Sequence, residues 1–487
     1  MNNPHTNREQ SSVWKRFREI TRIPRASKKE EKIRQYLLRF ASEHNLQADT
    51  DETGNVLIRA EATEGQEAAD PVILQAHIDM VCEKDRTSPH NFDTDPIEWE
   101  IGEDGWAQAK GTTLGADDGI GVAMILAALE DADVKRPAVE ALFTVDEEAG
   151  LGGAGGIRPD WIRAKRMINL DSEEEGQFCI GCAGGADTLA SLNCSAEKPA
   201  DGLFAFSLTV DGLQGGHSGE DIHRNRANAI KILSGLLHRM AAETDLRLAR
   251  IDGGNLCNAI PRHAAALAVV PMNFKEQVRI LTNIYLTEKE KDYAETDPGL
   301  KIGLTSADVP ESVFPKGLTE TVIRILEDCP HGPVAFNKDI PTLVDTSTNL
   351  ASVKTLPDEV VIETLQRSSF EEEKRKIVER VASVFRSANA KVTVSGEYPG
   401  WTPNFHSPIM EQTRQTYLRL FGKEPVIKVI HAGLECGVFL KKYPDWDMVS
   451  FGPDMTGVHS PSERLNADST DRTYELLKAL LSDLCTS

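Results

Sequence analysis

VILQAHIDMV, residues 72–81, is an apolar run of strand character that ends on a histidine and an aspartate two positions apart. In a strand, positions i and i+2 share a face, so His77 and Asp79 can meet one site. Two further stretches, VEALFTVDEEAG (139–150) and RMINLDSEEEG (166–176), have the same form: an apolar run, then carboxylates, then a glycine turn. Between the first two lies GIGVAMILAALED (119–131), an apolar helix with glycines at its start. Strands alternating with helices predict an α/β sheet. In such a sheet the carboxyl ends of the strands face one crevice, where ligands bind. His77, Asp117 of GTTLGADDG, Glu147, Glu148 and Asp171 then converge there.

A lone histidine, or a run such as DEE, is most often a satisfied core group or a solvated face. The repeated placement after apolar strands is what carries the reading. Carboxylates gathered so closely repel each other, and a cation resolves the repulsion. The donor set is nitrogen and oxygen with no cysteine, which points to zinc, manganese or cobalt. With His459 of GPDMTGVHSPSE, two histidines and three carboxylates exceed the three protein ligands of a typical mononuclear catalytic zinc. One aspartate bridging two ions leaves each with a histidine and a further carboxylate. Two-ion sites of this kind activate water at neutral pH and polarise a carbonyl.

The rest of the chain sets limits. Lys+Arg 54 against Asp+Glu 76 gives a net charge of -22 over 487 residues, a surface that repels nucleic acid. No run of 18 apolar residues suits a membrane span, and the opening MNNPHTNREQSSVWKRF lacks an apolar signal core, so a cytoplasmic protein is expected. Eight cysteines are too sparse for a disulfide scaffold, and Cys179 and Cys182, without further ligands nearby, read as buried reduced thiols. After residue 187 strand–helix–strand–helix patterns recur, and from about 400 the α/β alternation returns. A catalytic domain over 1–187 and 400–487, with a mixed sheet flanked by helices, is expected to carry an inserted α+β lid over 188–399, ferredoxin-like and either single or doubled. A hydride-transfer enzyme is disfavoured: no G-x-G-x-x-G follows the first strand, and GADDGIG puts carboxylates where pyrophosphate would sit.

The motifs HIDM, GTTLGADDGIG, VDEEAG, NLDSEEEG, GGHSG, NAIPR, HAGLECG and GVHSP, in this order, resemble those of the M20 metallopeptidases, from about residue 14 to 485. The resemblance implies His77 and Asp171 on one metal, Glu148 and His459 on the other, and Asp117 bridging, with a cis peptide at Asp117–Asp118. It implies that Asp79 holds His77 in its ligating tautomer, that Glu147 is the general base, and that His217 of the lid stabilises the oxyanion. Asn258 and Arg367 are implied as substrate-binding residues, Arg367 suiting a peptide C-terminal carboxylate, and His431 and Gly433 as lining the specificity pocket. One departure is that GVHSPSE has no acidic residue directly after Ser-Pro. The implied activity is hydrolysis of dipeptides, of the Xaa-His type such as β-Ala-His, with two divalent ions and a homodimer. Family alternatives are acylated amino acids or tripeptides as substrates, and a different class is an inactive metal-bound binding protein.

Overall fold

The three apolar runs form neighbouring parallel strands: β1 (Val72–His77), with the apolar helix α1 (Ala116–Glu130) following it, then β2 (Val139–Thr144) and β3 (Arg166–Asn169). Their order is β2-β1-β3, with His77 opposite Thr144 and Gln75 opposite Asn169. The computed structural model describes residue 8, residues 11–338 and residues 340–485; most of the opening segment read for a signal core lies outside the described residues. Each strand stops sooner than its apolar run suggests: His77 is the last residue of β1, and Glu147, Glu148 and Asp171 lie in the turns beyond β2 and β3. Asp79, expected on the strand, lies two residues past its end. The sheet has eight strands and is mixed: Val56–Ala60 runs antiparallel to β2, while Asp447–Ser450 runs parallel to β3. Every residue of α1 but Glu130 is buried, which suits a helix without a polar face.

The chain divides into two compact units. One holds the chain up to Gly181, Pro403–Val429 and the chain from Leu434 on; the other holds Cys182–Thr402 with Ile430–Gly433. In the second unit, β4 (Gly184–Asn193) is followed by a complete β-α-β-β-α-β pattern: β5 (Leu203–Asp211), α2 (Ala229–Glu243), β6 (Arg247–Gly253), β7 (Ala264–Pro271), α3 (Lys275–Asp292) and β8 (Lys301–Ala307). Only then come α4 (Lys316–Asp328), β9 (Val344–Thr355), β10 (Glu359–Ser368), α5 (Glu371–Arg386) and β11 (Lys391–Tyr398). The strand orders are β8-β5-β7-β6 and β11-β4-β10-β9, so each half runs fourth, first, third, second. This unit is a doubled ferredoxin-like fold in which one copy is inserted into the other. The halves meet at Gly253–Val353, and their strands and helices share one core that includes Phe206, Leu233, Val322, Ile362 and Phe385.

Cys179 and Cys182 are buried, as are Cys194, Cys329 and Cys436. Among the described residues no helix is long and apolar enough to cross a membrane.

Candidate metal centre

The end of β1, the turns after β2 and β3, the start of α1 and the loop between Thr456 and Arg464 bring their acidic and histidine side chains together. Donor atoms of His77, Asp117 and Asp171 lie within 4.8 Å of one another, and so do those of Asp117, Glu148 and His459. Asp117 belongs to both groups: its Oδ1 lies 3.0 Å from Nε2 of His77, and its Oδ2 lies 3.0 Å from Nε2 of His459. Asp171 completes one side, 3.5 Å from the same His77 nitrogen, and Glu148 the other, 3.0 Å from His459 Nε2. Glu147 forms a third group with His77 and Glu148.

This donor set fits a pair of divalent ions. It is N/O throughout, and Oε1 of Glu148 is buried without a hydrogen-bond partner. The local field also favours positive charge. Asp117 and then Glu148 push the His459 imidazole up to about 11. At His77 burial opposes the charged form, but Asp171, Asp117 and Asp79 outweigh it and hold the imidazole well above its usual range. Burial raises the carboxyl of Asp171 to about 6 and that of Glu147 well above the usual carboxylate range.

Local backbone explains why adjacent glutamates separate. Asp146 adopts a left-handed conformation (φ 54°), which aspartate tolerates better than most residues. The bend is pinned from two sides, since Glu30 accepts the Asp146 N–H at 3.0 Å and Asn55 the Val145 N–H at 3.1 Å. Asp79 holds the next two residues: Oδ1 accepts the Glu147 N–H at 3.1 Å, and Oδ2 the Glu148 N–H at 3.2 Å and the Ser27 hydroxyl at 2.7 Å. Its Oδ1 also lies 3.4 Å from Nδ1 of His77.

Reasoning from the sequence did not find Glu463. Its carboxylate accepts the backbone N–H groups of Leu114, Gly115 and Ala116 at 2.7, 3.0 and 2.7 Å, and that of Asp117 at 3.4 Å. The acid missing directly after Ser-Pro stands one position later and secures the loop that carries Asp117. Arg25, fully buried, ties the same loop to the end of β1 through the carbonyls of Ile78, Asp79 and Gly115. Gly115 has φ 69°, and a Cβ there would meet the Arg25 guanidinium at 2.6 Å. The Asp117–Asp118 peptide is cis.

The second unit carries the remaining candidates. Gly216–His217 pairs with Ala259–Ile260, and the Ser218 N–H donates to the Asn258 carbonyl at 2.8 Å, so His217 and Asn258 share one small ribbon. Nδ1 of His217 accepts the N–H groups of Gly219 and Glu220 at 3.3 and 3.2 Å. Nε2 therefore carries the proton of the neutral ring, and burial, then Arg367, lower the imidazole pKa and keep it neutral. Arg367 on β10 donates to the Tyr398 hydroxyl at 2.5 Å. Opposite it on β9, Ser347 bonds Nε2 of His431 at 2.7 Å, and Gly433 lies so close to the Tyr398 ring that a Cβ would meet it at 2.9 Å.

Residues 73–483 match the profile of Peptidase family M20/M25/M40. The chain is 41% identical over 472 residues to the cytosol non-specific dipeptidase of Escherichia coli (strain K12), covering 97% of each chain. The crystal structure of aminoacylhistidine dipeptidase from Vibrio alginolyticus superposes with a TM-score of 0.90 at 38% identity, covering 98% of each chain. A tripeptidase from Staphylococcus aureus shares the fold at a TM-score of 0.57 and 16% identity, covering 98% of each chain.

Proposed function

Because the chain belongs to peptidase family M20/M25/M40, we propose that it is a metal-dependent dipeptidase acting on free dipeptides, Xaa-His dipeptides such as β-Ala-His among them. The observation that carries this reading is Asp117, one carboxylate standing between two histidine–carboxylate pairs. His77 and Asp171 would hold one divalent ion, Glu148 and His459 the other, and Asp117 both. Such ions, zinc first and cobalt or manganese otherwise, supply Lewis acidity that lowers the pKa of a water and polarises the scissile carbonyl.

The chain's own residues do the rest. Glu147 takes the proton of the attacking water and hands it to the leaving amine. Asp79 fixes the direction in which Glu147 and Glu148 leave the backbone. His217, neutral with its proton on Nε2, donates to the carbonyl oxygen as charge develops there. Arg367, steadied by Tyr398, pairs with the substrate's free carboxylate, Asn258 binds its backbone, and His431 and Gly433 border the side-chain pocket. We extend the proposal to the inserted unit as lid and dimerisation domain, to a homodimer and to the cytosol.

The two similar dipeptidases bear names of different breadth, one non-specific and one aminoacylhistidine. A dipeptide panel, run on chelator-treated protein with zinc, manganese or cobalt restored, tests the reading. Metal-dependent turnover of Gly-His and β-Ala-His is expected. Faster turnover of acylated amino acids or tripeptides would replace the substrate assignment, and no turnover in a protein that binds its metals would leave a binding protein.

A further inference from the structure

Toward their carboxyl ends, strands β1, β2 and β3 each carry a polar side chain among apolar ones, and these three meet. Gln75, Thr144 and Asn169 are fully buried in the middle of the sheet, where an aliphatic residue is the default. The helix α6 (Glu435–Lys442) begins with a carboxylate that is also fully buried. Oε2 of Glu435 accepts the Gln75 amide at 2.7 Å and the Thr144 hydroxyl at 2.7 Å. The same Gln75 amide nitrogen lies 3.1 Å from the Thr144 hydroxyl oxygen. On its other side, Gln75 accepts the Asn169 amide at 2.5 Å, and Asn169 Oδ1 accepts the Asp171 backbone N–H at 3.3 Å.

The register gives this chain of bonds its meaning. Gln75 stands two residues before His77 on one strand, and Asn169 two residues before Asp171 on the next. Thr144 is the last residue of β2, directly opposite His77, and the turn after it carries Glu147 and Glu148. The polar row therefore crosses the three strand ends that deliver four of the site's side chains, one pleat beneath them. We propose that Glu435 is a positioning residue of the metal centre: through Thr144, Gln75 and Asn169 it fixes the relative placement of the strand ends bearing Glu147–Glu148, His77 and Asp171. The inference rests on the metal-centre reading above. Buried polar rows are demanding, since an unpaired member destabilises, and what they confer is a unique arrangement. Aliphatic side chains at these positions would hold the strands together without fixing one against another.

The test compares Glu435→Gln, which keeps an oxygen for both donors, Glu435→Leu, which removes it, and Thr144→Val, which deletes one donor at constant shape. Metal-stripped protein is titrated calorimetrically with zinc, its urea midpoint is measured, and the visible spectrum of the cobalt-loaded form is recorded. Glu435→Leu should weaken binding of at least one ion by about 10–100-fold, the usual effect of losing a partner behind a metal ligand, and alter the cobalt spectrum. Glu435→Gln should stay close to the parent in both. Thr144→Val should shift both in the direction of Glu435→Leu, and it decides the matter should the leucine variant not fold. A folded Glu435→Leu protein with lowered urea midpoint but parental zinc affinity and cobalt spectrum overturns the proposal. So does Glu435→Gln behaving like Glu435→Leu, or Thr144→Val matching the parent. A parent protein that binds no zinc would instead sink the metal-centre reading itself.

Discussion

Replacing Glu463 by alanine removes the acceptor of four backbone N–H groups in the loop that carries Asp117. Three of those bonds, to Leu114, Gly115 and Ala116, are 3.0 Å or shorter, and the fourth, to Asp117, is long at 3.4 Å. A bond to a charged acceptor contributes roughly 1.5–3 kcal/mol, and a buried donor left without a partner costs about 1–3 kcal/mol. Water entering the vacated space can satisfy one or two of the donors, so the full sum is not lost. The expected destabilisation of the metal-free protein is about 3–5 kcal/mol, at the upper end for a point mutation. Glu463→Gln keeps the shape but turns an amide NH2 toward N–H groups, and should fall between the parent and alanine. Urea denaturation of metal-stripped protein reads the loss, and zinc titration reads its consequence at Asp117, whose displacement should weaken both ions together. An alanine variant within about 0.5 kcal/mol of the parent, binding both ions normally, would refute the clamp, because surface substitutions fall in that range.

Other outcomes follow from the same geometry. Glu147→Gln should lower kcat by about 10²–10⁴ with metal content unchanged, whereas Glu148→Gln should lose metal; reversed phenotypes by kinetics and elemental analysis would exchange the two roles. Chelation should abolish activity, zinc, cobalt or manganese should restore it, and elemental analysis should find about two ions per chain; an active metal-free protein contradicts the site. Arg367→Ala should cut kcat/KM for free dipeptides at least about tenfold while sparing C-terminal amides, since a charge-assisted bond is worth roughly 1.5–3 kcal/mol; equal losses on both would make Arg367 structural. Burial pushes the Glu435 carboxyl from 4.5 up to about 8, so over that interval the folded protein keeps a proton that the unfolded chain releases. Stability of the metal-free protein should therefore fall as pH rises from about 4.5 to 8, by no more than about 5 kcal/mol from this group, and Glu435→Gln should flatten the fall; parallel curves for parent and variant would count against a neutral Glu435.

Three of the proposed ligands were readable in the sequence because they stand at the ends of apolar runs, and the ends of parallel strands share one side of a sheet. His77, Glu148 and Asp171 follow from that rule, and Asp117 from a glycine-rich turn opening an apolar helix. What holds the ligands was not readable, because it arrives from far along the chain. Glu463 reaches Leu114 across 349 positions, and Glu435 reaches Gln75 across 360. Nor does sequence give the proton on His217, which follows from two backbone N–H groups pointing at Nδ1. The doubling of the inserted unit was visible only as a recurring strand–helix alternation. Its strand β4 is parted from α4 and β9 by the whole of the other copy, so no local window contains the outer copy.

One signal was present and easily passed over. In VILQAH a glutamine interrupts an apolar run, and in RMIN an asparagine follows Met167 and Ile168 at the strand's end, each two positions before a proposed metal ligand. A helix or loop would absorb such residues on a wet face, but a central parallel strand has none, so a buried amide there needs partners on its neighbours. Gln75 and Asn169 are opposite each other in register, which makes them each other's partners, and the carboxylate completing the row must come from outside the sheet. Glu435 supplies it. The spacing of the interruptions relative to the ligands, rather than the ligands alone, is what ties the sheet's interior to the chemistry at its edge.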